Sequence, residues 1–131
     1  MTRLRPRGFG VFWGPVIVYM GLIFFSSSRA RPAILSTTPD YLLHGTAYAG
    51  LAVLSVRALA KRTFSGLKVS HLLGGIAIAF AYGLSDECHQ LQVPGREGSF
   101  SDVLADGAGA VVAGAFLLAI SAVNGIAGES G

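Results

Sequence analysis

Four stretches of this chain, near residues 9–25, 41–59, 71–91 and 103–123, stay apolar over close to the roughly 20 residues that a helix needs to cross a hydrocarbon core. Short connections separate them. Only 13% of the residues are charged, about half the share in a typical soluble domain, and 52% are hydrophobic, so no soluble domain is expected beside the spans. The sequence predicts an all-α, four-transmembrane-helix bundle, with residues 1–131 forming one domain.

The basic residues orient that bundle. Arg3, Arg5 and Arg7 precede the first span, and Arg57, Lys61, Arg62 and Lys68 lie between the second and third, whereas the opposite loops hold only Arg29, Arg31 and Arg96. Seven against three, with basic loops held on the cytoplasmic side, predicts both termini inside and the first and third loops outside. The net charge of +3 is thus topogenic, and because the basic residues do not gather on one soluble face it does not indicate nucleic-acid binding.

Residues 1–30 admit a second reading as a signal peptide, since Ser28 and Ala30 imitate a cleavage site. The apolar run is longer than the usual core of such a peptide, and Trp13, Pro15 and Tyr19 suit a retained helix better, with Trp13 as an interfacial anchor. A single cysteine, Cys88, has no intramolecular disulfide partner and reads as a small filler on a helix. Ala79 with Gly83, and Ala110 with Gly114, have the four-residue spacing that permits close helix packing, or simply reflect tolerance of small residues in lipid.

Against this apolar background, residues 82–106 hold Asp86, Glu87, His89, Gln90, Arg96, Asp102 and Asp106. An ionisable group costs roughly 2.5–3.5 kcal/mol at a bilayer centre, so such a cluster needs mutual pairing, water or a ligand. The predicted orientation puts His44 and Tyr48 in the first turns of the second span, Asp86, Glu87 and His89 in the last turns of the third, and Asp102 and Asp106 at the start of the fourth, all in the outer leaflet. At 1.5 Å per residue, Asp106 lies only about 6 Å deeper than Asp102, and Tyr48 about 6 Å deeper than His44. Tyr82, Asp86 and His89 share a helix face by spacing, as do Tyr41, His44 and Tyr48, and Asp102 and Asp106. Three helices are therefore expected to deliver acids, imidazoles and phenols to one water-accessible pocket.

The residues 93–100 would roof that pocket. Pro94 ends the third helix, Gly95 and Gly98 allow left-handed or close backbone geometry, and Ser99 or Ser101 can cap the fourth helix. Arg96 beside that helix start suits an anionic group such as phosphate or carboxylate, or an ion pair with Asp86 or Asp102. Glu87 is about 100° from Asp86 around the helix, so only one of the two faces the pocket fully. Tyr48 and Tyr82 line the pocket or lie at the interface; His71 reads as interfacial and Ser26, Ser27 and Ser28 as caps on the first helix.

The run Tyr82-Gly83-Leu84-Ser85-Asp86-Glu87-Cys88-His89-Gln90, followed by Pro94-Gly95-Arg96, Ser101-Asp102-Val103-Leu104-Ala105-Asp106 and Gly109, closely resembles the VanZ-like family of small bacterial membrane proteins. Ser26-Ser27 and the Asp40, His44, Tyr48 spacing look like that family's earlier motifs, in the same order. Tyr41 stands where the family usually has lysine, and Cys88 where it has a bulky apolar or aromatic residue. The namesake is associated with teicoplanin (glycopeptide) resistance, so the resemblance implies a cell-envelope role at the outer face of the cytoplasmic membrane.

Two functions follow. A binding protein would hold an envelope lipid or glycopeptide-like ligand through Tyr48, Tyr82, Glu87, Gln90, Arg96 and Asp106. A membrane-embedded hydrolase or transferase would act on an envelope lipid or phosphate ester, with His44 or His89 as general base, Asp86 or Asp102 orienting it, and Arg96 steadying developing charge. A divalent metal on His44, Asp86, His89 and Asp102 is chemically compatible with such an enzyme. Ion or proton movement lacks matching charges in the cytoplasmic half, and a purely structural cluster would make Asp86→Asn or His44→Gln lower membrane abundance first. No motif indicates an oligomeric state.

Overall fold

The computed structural model describes residues 8–30, 33–61, 64 and 66–129. Helix α1 runs over Gly8–Ser27, a 3-10 turn over Ala33–Leu35, α2 over Asp40–Ala60, α3 over Val69–Gln90 and α4 over Phe100–Glu129. No strand occurs among the described residues, and all four α-helices are long and apolar enough to cross a membrane. The main difference from the sequence reading is at α4, which begins three residues before 103 and continues to Glu129. No proline interrupts the run after Asp106, and the helix carries through Asn124 and Gly125, residues that often end a helix. The first seven residues, with Arg3, Arg5 and Arg7, and Arg31 and Arg62 lie outside the described residues.

Helix α2 is the centre of the bundle. It packs against α1, α3 and α4, α3 and α4 pack against each other, and α1 reaches α2 and the edge of α3 without touching α4. The α2–α4 crossing is the most extensive, and it is a backbone approach: a Cβ built on Gly109 would run into the Gly45 carbonyl. The small residues singled out by spacing lie along the α3–α4 seam. Gly83 faces Asp106, Gly114 faces Ile76, and Ala79 and Ala110 are fully buried. Around this core the outer faces carry exposed Val112, Phe116, Ile17 and Phe24, the arrangement of a bundle solvated by lipid.

The two ends differ in chemistry. Where α2 ends and α3 begins, Lys61 adopts a left-handed cap with its N–H on the Arg57 carbonyl, and the Arg57 guanidinium lies over the Phe12 ring of α1. His71 acts there as a cap, its Nδ1 accepting from the Lys68 amide at 3.2 Å. The opposite end, where α1 and α3 stop and α2 and α4 start, holds every acid but Glu129 and the other two histidines.

Candidate functional site at the polar end

The loop after α3 is shaped by its glycines. Gly95 has a φ of +81°, and a Cβ on Gly98 would lie 2.7 Å from the Glu87 carboxylate, so the chain turns sharply and rests on that side chain. Ser99 then caps α4, its Oγ accepting from the Asp102 amide at 3.2 Å while it hydrogen-bonds Ser101 at 2.7 Å. Arg96 is thereby held over the gap between α2 and α3. Among the described residues it forms no ion pair, and its Nε is buried without a partner.

Beneath the loop lie two buried polar pairs. His44 Nδ1 donates to Asp106 Oδ1 at 2.9 Å, and Gly83 makes room for that carboxylate, since a Cβ there would come within 2.8 Å of Oδ2. Asp86 Oδ2 accepts from the Tyr48 hydroxyl and from the Gln90 amide, each at 3.0 Å. Tyr48 is 1% exposed, which excludes an interfacial role for it, and Asp106 is equally buried. Rings connect the pairs: His44 stacks on Tyr48 and Tyr48 faces Tyr82, each at 6.4 Å between centroids. Asp86 Oδ1 and Asp106 Oδ2 remain buried and unpartnered among the described residues.

Two cavities meet here. A groove of about 330 Å³ runs between α1 and α2, walled by Tyr19, Leu22, Ile23, Leu43 and Ala47, passing Ser26 and Ser27 and reaching Tyr48 and Asp86. A polar mouth of about 510 Å³ is lined by Asp40, His44, Gln90, Gly95, Arg96, Glu97 and Asp102. Asp40, His44, Gln90 and Arg96 line both, so the two volumes form one amphipathic site.

The structure brings together His44, Tyr48, Asp86, Gln90, Arg96 and Asp102 around these volumes, with Asp106 directly behind His44. It does not bring His89 there. That ring stacks on Phe24 at 4.6 Å and hydrogen-bonds Ser28 at 3.0 Å, facing α1. Tyr82 also turns to α1, donating to the Met20 carbonyl at 2.7 Å, and Glu87 lies under Gly98, so neither lines a cavity. Tyr41, at the exposed first turn of α2, projects past its neighbours although it shares a face with Tyr48 by spacing.

At two points the side chains are placed otherwise than the spacing suggests. The metal set of His44, Asp86, His89 and Asp102 is not gathered, because His89 faces α1, and no group of three His, Cys, Asp or Glu side chains fit to hold an ion occurs among the described residues. The carboxylate that orients His44 is Asp106, not Asp86 or Asp102. The pairing leaves Nε2 as the nitrogen without a described partner, on a residue that lines the mouth.

Tyr19, Asp40 and Glu97 line the cavities without having been singled out as site residues from the sequence. Tyr19 donates to the Ala47 carbonyl at 2.8 Å and lies where a Cβ on Gly50 would strike its hydroxyl, and Asp40 reaches both cavities. Tyr19, Ile23 and Ser26 are four and three residues apart, the same facial spacing that singled out the residues of α2.

No curated protein and no solved structure matches the chain. The sequence model of the VanZ/LLP1 family matches residues 12–121, a span that takes in nearly all of α1, the whole of α2 and α3, and α4 as far as its serine at 121. With that coverage, and with Asp86, Asp102, Asp106 and His44 of the family-like motifs gathered at one end of four apolar helices, the chain belongs to the VanZ/LLP1 family of membrane proteins.

Proposed function

We propose that the chain is a single VanZ-like domain of the bacterial cytoplasmic membrane, with both termini inside, whose outer-leaflet pocket binds an envelope lipid or a glycopeptide-like ligand. The orientation is supported by the excess of basic residues before α1 and between α2 and α3, which leaves the acidic end facing out. One observation carries the binding reading: an apolar groove at the bilayer-facing seam of α1 and α2 opens into a polar mouth, and Asp40, His44, Gln90 and Arg96 belong to both. That is the shape of a site for a molecule with an apolar tail and a polar head. Any link to glycopeptide resistance would run through the same pocket.

The test is lipid mass spectrometry of protein extracted in mild detergent, beside an Ala47→Leu variant that fills the groove. Wild type is expected to retain an envelope lipid that the variant loses; equal retention by both would sink the reading. A second reading, a membrane-embedded hydrolase of phosphate esters, is favoured by the Asp106–His44 pair, whose geometry suits a general base. It requires His44→Gln to keep the bound lipid while abolishing its turnover.

A further inference from the structure

We infer that the headgroup taken by the mouth carries both signs, a phosphodiester met by Arg96 and a primary ammonium met by Asp102 and Glu97, so that the preferred occupant is an aminophospholipid of the surrounding bilayer. This rests on the reading of the pocket as a lipid site.

Arg96, Glu97 and Asp102 line the same volume of about 510 Å³. The opposite charges of Arg96 and Asp102 nevertheless do not pair, since no ion pair joins them, and Asp102 is only 7% exposed. Asp40, which has an interaction of its own, lines the same volume. A simple anion at Arg96 would sit beside these carboxylates, and a simple cation beside the carboxylates would face the guanidinium. A zwitterion satisfies both walls at once, and a partly buried charge gains most from a partner it can hydrogen-bond.

The chemistry of each half follows from the donors present. Arg96 offers a planar fork suited to phosphate oxygens, and His44 Nε2 adds a hydrogen-bonding atom on the same lining. The carboxylates favour an ammonium that can donate hydrogen bonds. A quaternary ammonium is usually received by the faces of Trp, Tyr or Phe, and among the described residues none of these lines the mouth. The acyl part continues into the groove along Leu22, Ile23 and Leu43.

The experiment is native mass spectrometry of the full chain in detergent with phosphatidylethanolamine, phosphatidylglycerol and phosphatidylcholine of matched chain length. Wild type is expected to retain the ethanolamine lipid about tenfold over either of the others, the worth of one charge-assisted hydrogen bond. Glu97→Gln, at an exposed position where folding is not at stake, lowers that preference, Asp102→Asn removes it with lipid still bound, and Arg96→Gln weakens retention of all three. Equal or better retention of phosphatidylglycerol or phosphatidylcholine by wild type, or a preference unmoved by both acid variants, overturns the inference and leaves the lipid site standing. Retention of no lipid at all by wild type removes the site itself, and the inference with it.

Discussion

Helices α1 and α4 are both apolar spans packed against α2, yet they are held in opposite ways. At the α2–α4 crossing the backbones nearly touch, with Gly109 against the Gly45 carbonyl, and Ala110, Ala113 and Leu117 are buried beside it. In α1 only Val16 and Ser27 are buried, and nothing lies within 4 Å of a Cβ built on Gly10, Gly14 or Gly21. α1 packs Phe12, Trp13, Met20 and Ile23 against the core around Val16, and polar ties add to that, from Tyr19 to the Ala47 carbonyl, from Tyr82 to the Met20 carbonyl, and from Ser28, just past the helix, to His89. Lipid competes with apolar contacts but not with hydrogen bonds, so close backbone packing sets α2, α3 and α4 while hydroxyl groups place α1. The groove lies along the loosely packed seam, which is where an occupant can enter at least cost to the core.

The largest way to break this contrast is Gly109→Val. Its branched Cβ meets backbone, which cannot swing aside as a side chain would, so the helices must part. A loss of about 3 kcal/mol or more is expected, seen as aggregation or a sharply lowered melting temperature of the detergent-extracted protein. An unchanged melt would mean that the α2–α4 crossing is not the foundation of the bundle.

Polar contacts sharpen the comparison at a smaller scale. Asp106→Ala leaves His44 Nδ1 buried in the core without its acceptor, and should cost about 1–3 kcal/mol. Ser28→Ala removes one tie between α1 and α3 at a partly buried position, and should cost about 0.6 kcal/mol, the usual worth of a side-chain hydrogen bond between membrane helices. Thermal melts of the two variants, read side by side, check the order; equal losses would place α1 within the core rather than beside it.

The sequence specified the spans because the length of an apolar run against the bilayer is a strong constraint, and it placed His44, Asp86, Asp102 and Asp106 at one level because depth follows from helical rise alone. It did not specify which carboxylate orients His44. That choice depends on which faces meet, and the faces are set by the Gly45–Gly109 approach and by the space Gly83 leaves for Asp106. His89 shows the limit of facial spacing: three residues beyond Asp86 leaves it about 60° around the helix, enough to face α1. Tyr41 shows another, since a residue in a first turn can share a face with Tyr48 and still project beyond every neighbour. From the sequence Tyr19 reads only as a residue that suits a retained helix, because α1 carries no acid, histidine or basic residue, and a phenol in an apolar run resembles any other aromatic until its acceptor on α2 is known.

The one change expected to cost nothing is the most discriminating. Gly21→Ala adds the same methyl group that Gly109 has no room for, but in α1 the position is open and the added Cβ meets no neighbour. Removing the backbone freedom of glycine from a helix stabilises by up to about 1 kcal/mol when the new side chain fits, so the melting temperature should hold or rise slightly. A clear fall would mean that the open face of α1 is covered in the membrane by something outside this fold, a second copy of the chain or another helix. The contrast between a packed core and a loosely held α1 would then describe the isolated chain alone, and the α1–α2 groove would have to be reconsidered as a seam closed by that partner.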